Sequence, residues 1–323
     1  MHTTDFRRRG AIYLPKDFVR PARHAEQSEP FYGTIASLVA RMLKMQGIKV
    51  YVEGAENVPA DGAALFAINH TGYFDFILGG VPAKARGGRL VRFMAKKEIF
   101  DVPVVGTMMR MMRHISVDRS AGAASMDLAV EKLREGNLVG IFPEATISRS
   151  FEIKELKTGA VRIAKEADAP LIPLVIWGSQ RIWTKDIPKD VVHPNVPVWI
   201  KVGTPLELSG DPDADTERLR EAMISLLDEV RHTYARNFGP FPTGERWLPD
   251  SLGGTAPTPK RAELLAMEER ERRQAKKERQ RAEKLRRLDA RADRKAMDIL
   301  RSRGWFGRMK ARIAAVVEAR RDR

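Results

Sequence analysis

From about residue 48 to 238, short apolar or β-branched runs alternate with stretches of helical period. The runs are 48–53 (IKVYVE), 63–68 (AALFAI), 91–95 (VRFMA), 114–118 (HISVD), 137–142 (NLVGIF), 171–177 (LIPLVIW) and 197–203 (PVWIKVG). Their length and composition predict strands. Helices are predicted between several of them, at 97–112, 122–135, 158–168 and 214–237. Strands alternating with helices define an α/β domain with a mixed, largely parallel sheet flanked by helices.

The flanks differ. Residues 1–30 are polar and mixed, and are predicted irregular. A helix is predicted over 31–46, with Phe31, Ile35, Leu38, Val39, Met42 and Leu43 on one face. That face suits either packing on the domain or lying in a membrane interface, and Arg41 and Lys44 beside it allow both. Residues 239–259 hold nine Gly or Pro in 21 and read as a linker. Residues 260–302 have no large apolar side chain between Met267 and Leu285, so an exposed helix is predicted. Glu268–Arg272, Glu269–Arg273 and Glu283–Arg287 support it at i,i+4 spacing. Gly304 is expected to break it. Beyond, Trp305, Phe306, Met309, Ile313, Val316 and Val317 form one face among Arg303, Arg308, Lys310 and Arg312. That is the composition of a basic amphipathic helix for an anionic membrane surface, docking on the protein body being the other reading. The predicted organisation is therefore 1–46, an N-terminal segment with its helix; 47–238, the α/β domain; 239–259, a linker; and 260–323, a basic helical tail.

Composition narrows the classes. With 323 residues, 43% of them hydrophobic, the chain can bury a sizeable core. It has no cysteine, which excludes disulfides, Cys-ligated zinc, iron–sulfur clusters and a thiol nucleophile. The net charge of +15 points to a polyanionic partner. Of 57 lysines and arginines, 23 lie from Pro257 onward, with 11 of the 42 acids, a net of +12; the rest of the chain holds 34 against 31, a net of +3. The tail carries the excess. A nucleic-acid-binding tail would interleave stacking aromatics with its charges. None precedes Trp305 in the tail, so no nucleic-acid partner is expected. No segment reaches the roughly 18 apolar residues of a membrane span, and the N-terminal arginines lack an apolar signal-peptide core. A cytoplasmic location is the expectation.

Four stretches carry candidate chemistry. In Asn69-His70-Thr71-Gly72-Tyr73-Phe74-Asp75, His70 follows a predicted buried strand, and Asp75 lies one turn onward. Ligands in open α/β sheets bind outside the carboxyl ends of strands. A carboxylate accepting from imidazole Nδ1–H fixes the tautomer and leaves Nε2 as a base. The second stretch, Phe142-Pro143-Glu144-Ala145-Thr146-Ile147-Ser148, sets a carboxylate and a hydroxyl at another strand end. The third, Ile115-Ser116-Val117-Asp118-Arg119, ends in an Asp-Arg pair, and the arginine fork suits a phosphate. The fourth is Leu171-Ile172-Pro173-Leu174-Val175. Lys157-Thr158-Gly159 opens a predicted helix where an anion gains from backbone N–H groups, a solvated lysine being the alternative. His114 is expected to be structural. His2, His24, His193 and His232 show no partner pattern, so neither a metal nor a cofactor is expected.

The four stretches, in this order over roughly residues 60–180, resemble the blocks of the PlsC-type glycerolipid acyltransferases, the 1-acylglycerol-3-phosphate acyltransferase family: NHxxxxD, a strand ending in DR, FPEGTxS, and an apolar block with a central proline. FPEATISRS, the later IWGSQRIW and the arginine-rich tail resemble actinobacterial members. The resemblance implies transfer of an acyl group from acyl-CoA or acyl carrier protein, as co-substrate, to the hydroxyl of lysophosphatidic acid. It implies that His70 is the base, that Asp75 orients it, that Arg119 binds the acceptor phosphate and that Glu144 and Thr146 position the glycerol end, with Lys157 a further phosphate candidate. Backbone N–H groups near Gly72, or the Lys96-Lys97 stretch, are candidates for the oxyanion or the acyl donor. Another lysophospholipid or a glycolipid is the alternative acceptor.

Three positions depart from the family pattern. Ala145 stands where Gly is usual, Ile147 where Arg is common, and Arg113 where Gly is usual before the DR strand. A bilayer-borne acceptor implies a peripheral enzyme on the cytoplasmic face of an anionic membrane. The helix at 31–46 and the segment 305–319 are the candidate anchors, helped by the charge of 260–302.

Overall fold

Each of the seven apolar runs is a strand in the computed structural model: β3 Lys49–Glu53, β4 Ala64–Ile68, β5 Val91–Lys96, β6 Ile115–Val117, β7 Leu138–Ile141, β8 Leu171–Trp177 and β9 Pro197–Val202. The structure describes residues 1–118 and 122–321; the side chains of 122–125, 292, 295, 296, 299–303 and 314–321 are outside that description. Two further strands, β1 Phe6–Arg9 and β2 Ile12–Pro15, form a hairpin around Gly10 and Ala11, within a stretch expected to be irregular. Its three arginines hide it: β1 is an edge strand whose only buried residue is Phe6, and exposed cations protect an edge from further pairing.

The nine strands pair in the order β1-β2-β3-β9-β8-β4-β7-β5-β6. β8 through β6 run parallel, while β9 lies antiparallel to β8. The carboxyl ends of β4, β5, β6, β7 and β8 therefore share one edge. In β8, Leu171, Val175 and Trp177 pack to one face of the sheet, and Ile172, Leu174 and Ile176 to the other. This is why the parallel strands read as unbroken apolar runs.

Helices cover both faces. α6 Gly122–Arg134, α7 Gly159–Glu166 and α8 Pro212–Phe238 bury Leu133, Ile163, Leu219, Met223, Leu227 and Val230 against the first. The other face is covered by α1 Pro30–Met45, α2 Asp75–Leu78 and α3 Val81–Ala85, through Leu43, Leu78 and Val81. The apolar face of α1 is largely turned to protein. Phe31, Tyr32, Ile35, Val39 and Met42 pack on the body and Leu43 is buried, leaving Leu38 exposed. Tyr32 also donates to the Val91 carbonyl at 2.8 Å. Docking is thus the main use of the face that the sequence left open.

The helix expected over 97–112 is two helices, α4 Lys97–Phe100 and α5 Val105–Met111. Pro103 lies between them, where its ring and missing N–H end a helix. Residues 239–258 are irregular apart from a 3-10 turn at Asp250–Leu252, but they are also packed. Leu248 and Ala256 are buried, and Arg181 stacks over Trp247 at 4.5 Å. The chain divides into two compact units, Met1–Ala262 and Glu263–Arg323. The second is part of one helix, α9 Pro259–Arg321, which runs through Gly304 instead of stopping there. A single glycine costs a helix about 1 kcal/mol, less than neighbouring Ala, Arg and Lys residues supply over several turns. Trp305, Phe306, Met309 and Ile313 are exposed on it; the side chains of Val316 and Val317 lie outside the described residues.

Candidate active site

Where β4 ends, Asn69 extends its ladder with a side chain. Its Nδ2 donates to the Ile176 carbonyl at 3.0 Å, and its Oδ1 accepts from the Ile176 N–H at 2.7 Å. This two-bond lock on β8 fixes the next residue, His70, at the shared carboxyl edge. The His70 carbonyl accepts from Ser148 N–H at 2.7 Å, and the His70 N–H donates to Glu144 Oε1 at 2.9 Å. The imidazole stacks on Phe142, centroids 4.4 Å apart, and keeps 20% of its side-chain exposure.

Asp75 opens α2 and folds back as its spacing suggests. Its Oδ2 lies 3.1 Å from His70 Nδ1. The same oxygen accepts from the Thr71 and Gly72 N–H groups at 2.6 and 2.7 Å, and Oδ1 accepts from Ser179 Oγ at 2.5 Å. Asp75 is wholly buried. A carboxylate accepts only, so the proton sits on Nδ1 and the His70 Nε2 lone pair is left for a substrate proton. Gly72 is required by close approach: a Cβ there would lie 2.9 Å from the Trp183 carbonyl oxygen. Its N–H, a candidate oxyanion donor from sequence, is instead engaged with Asp75.

Beyond β7, the Pro143–Ser148 turn brings Glu144 beside His70. Glu144 is buried, and its Oε2 has no hydrogen-bond partner among the described residues. Burial pushes this carboxyl up from 4.5 to about 7, against the opposing pull of the Lys154 ammonium. Ala145 has φ +61°, in the left-handed region that glycine occupies without strain, which explains the family's preference there. Arg113, the other departure from glycine, has φ +55° just past the end of α5, with its N–H on the Arg110 carbonyl. Both substitutions thus bear on backbone conformation. Ile147 is buried.

Two contributors escaped the sequence. Ser179, at the end of β8, lies 104 residues from the aspartate it touches. Thr71 and Thr184 join its network, through Thr71 Oγ1 to Ser179 Oγ at 3.2 Å and Thr184 Oγ1 to the Thr71 carbonyl at 2.5 Å. Lys154 Nζ donates to Thr146 O and Oγ1, both at 2.8 Å, and to the Glu144 carbonyl at 3.3 Å. It staples the turn that carries Glu144. Ser179 stands in the Trp-Gly-Ser-Gln stretch after a buried strand, the one local signal that could have found it.

The other candidates are less closely drawn in. Thr146 faces Lys154. Lys157 is exposed and its N–H bonds the Pro143 carbonyl. Lys97 is 57% exposed and pairs with Asp118 at 2.9 Å, while Lys96 is half-buried at the end of β5. Arg119 lies outside the described residues. His114 is structural: its Nδ1 accepts from Phe93 N–H at 3.0 Å, and burial holds it neutral, down to about 3. Among the described residues, no cluster of three or more His, Asp or Glu is placed to hold a metal.

A mixed, mostly parallel sheet thus carries a histidine–aspartate pair and a second carboxylate at its carboxyl edge. Residues 49–177 match the family model described as Acyltransferase. The chain is 38% identical over 133 residues to the 1-acyl-sn-glycerol-3-phosphate acyltransferase of Bacillus subtilis, covering 41% of this chain and 63% of that protein. It is 24% identical over 197 residues to the protein of the same name in Borreliella burgdorferi, covering 58% and 76%. Against several other curated relatives the chain spans about half their length. A solved structure titled 1-acyl-sn-glycerophosphate (LPA) acyltransferase, PlsC, from Thermotoga maritima is 21% identical, with a TM-score of 0.46, covering 64% of this chain and 92% of that one.

Proposed function

We propose that the protein transfers a fatty acyl group from an acyl thioester to the free hydroxyl of lysophosphatidic acid, giving phosphatidic acid. The observation that carries this reading is the His70 Nδ1–Asp75 Oδ2 contact at 3.1 Å, with the ring partly exposed beside buried Glu144. The relatives' names support the acceptor.

His70 Nε2 takes the proton of the acceptor hydroxyl as that oxygen attacks the thioester carbonyl. Asp75 holds the ring and stabilises the cation that forms. The tetrahedral intermediate collapses with loss of the thiolate, which takes the proton from His70. The chain has no cysteine, and no covalent acyl-enzyme is needed. With the Gly72 N–H on Asp75, the Lys96–Lys97 end of β5 is the stronger of the two oxyanion or donor candidates. The buried Oε2 of Glu144 accepts from an acceptor hydroxyl, on a turn held by Lys154 and carrying Thr146. Arg119 and Lys157 supply charge for the phosphate. The donor is acyl-CoA or acyl carrier protein, and no cofactor takes part. The enzyme works peripherally on an anionic membrane at its cytoplasmic face, drawn there by the basic tail. No described helix is long and apolar enough to cross a membrane.

The test is product analysis with labelled oleoyl-CoA and a panel of lysolipids in vesicles. Labelled phosphatidic acid formed from lysophosphatidic acid, above every other product, supports the reading. Acylation of another lysophospholipid or a glycolipid alone assigns a different acceptor to the same chemistry.

A further inference from the structure

Between α4 and α5 the chain displays apolar side chains. Ile99, Val102, Val104 and Val105 are 39%, 46%, 73% and 43% exposed. Val104 has φ +67° and ψ −57°, and the Val105 N–H reaches back to the Pro103 carbonyl at 2.8 Å. This is a γ-turn of the strained hand, with a β-branched residue at its centre. Such strain costs about 1–3 kcal/mol and persists only where its surroundings impose it. Here they do: a Cβ on Gly106 would sit 1.9 Å from the Phe100 carbonyl oxygen, so the two helices close tightly below and Val104 is forced outward.

The base of this turn is anchored next to the catalytic pair. Phe100, Met109 and Met112 form a small cluster with Phe31, Tyr32 and Ile35 of α1 and with Phe76, which follows Asp75. α4 begins at the carboxyl end of β5, on the edge that holds His70. On the same edge, Tyr73 after β4 and Trp183 after β8 are 45% and 39% exposed and pack together at 4.6 Å, with Lys189 5.6 Å from the Trp183 ring. Exposed Lys97, Arg110 and Arg113 flank the turn, outnumbering exposed Glu98 and Asp101. Apolar tips, amphipathic aromatics and cations on one edge match the acyl, interfacial and headgroup layers of a bilayer.

We propose that the Ile99–Val105 turn is a wedge that inserts among the acyl chains of an anionic phospholipid bilayer, with Tyr73 and Trp183 at headgroup depth, so that the His70 edge faces the membrane. The assignment is independent of which hydroxyl is acylated.

The absence of cysteine makes the test direct: Val104→Cys in the full chain carries a single environment-sensitive dye. A control carries it at Glu135→Cys, in the turn leading into the amino end of β7. With vesicles of phosphatidylglycerol and phosphatidylcholine in equal parts, the dye at 104 shifts to shorter wavelength and the dye at 135 does not. Val104→Asp weakens vesicle binding about tenfold. Val104→Gly, which also relieves the backbone strain, weakens it by less. An unshifted dye at 104 while the protein sediments with vesicles overturns the proposal, as does the absence of sedimentation. Wild-type binding by both variants overturns it too. A dimer that Val104→Asp dissociates, without any dye shift, assigns the turn to a second copy of the chain instead.

Discussion

Two buried carboxylates stand at neighbouring strand ends, and they are treated in opposite ways. Asp75 receives four donors, from His70, Thr71, Gly72 and Ser179, which occupy both its oxygens. Glu144 takes the His70 N–H on one oxygen, and its other oxygen has no hydrogen-bond partner among the described residues. The first is a fixture: its hydrogen bonding is filled within the fold, and in the proposed function it holds the imidazole. The second is a receiver. Its burial is only partly offset by Lys154, and a hydroxyl from outside would complete its hydrogen bonding. A carboxylate's role can thus be read from its donors more securely than from its position in a motif.

Breaking the fixture has the largest effect. Asp75→Ala leaves three built-in donors unsatisfied and the ring unheld; steady-state thiol-release kinetics are expected to show a loss of about three to four orders of magnitude in kcat. Ser179→Ala removes one donor and keeps the dyad. A hydrogen bond to a charged group is worth about 1.5–3 kcal/mol, so kcat falls roughly ten- to a hundredfold with little change in KM. Loss of KM alone would make Ser179 structural.

The receiver is tested by pH. Burial raises the folded carboxyl of Glu144 from 4.5 to about 7, so the folded protein holds this proton more tightly than the unfolded chain. Its contribution to stability is complete below about 4.5, declines as pH rises to about 7, and is level beyond. His114 acts oppositely, destabilising as pH falls below 6.5, because burial holds it neutral down to about 3. Subtracting the Tm profile of Glu144→Gln from that of the wild type isolates the Glu144 slope. A flat difference from pH 4.5 to 7 would contradict the receiver's environment.

The smallest effect sharpens the turn beneath it. Ala145→Gly relieves a left-handed residue and is expected to gain up to about 1 kcal/mol, a Tm rise of about 2–4 °C by calorimetry. The gain would come without loss of activity, because Lys154 still staples the turn.

What the sequence made legible follows from locality. The buried strands were readable because parallel strands covered on both faces are continuous apolar runs. His70 and Asp75 were readable because one turn joins them. The β1–β2 hairpin was not, since an arginine-rich edge buries little and shows no apolar period. Nor were Ser179 and Lys154, which reach the site only through the pairing of β8 with β4 and the fold of the 148–156 loop. Ala145 and Arg113 stood out as departures from glycine, and the structure supplies the reason in their positive φ. Pro103 breaks a helix that periodicity alone drew as continuous, and α9 passes through a glycine that alone cannot stop it.

The central claim is that the Asp75-held imidazole activates the acceptor hydroxyl. It is tested most directly by thiol release from oleoyl-CoA in anionic vesicles, with and without lysophosphatidic acid, for wild type and for His70→Ala of unchanged Tm. The account predicts release that requires both the acceptor and His70. Acceptor-dependent release that survives His70→Ala would contradict it.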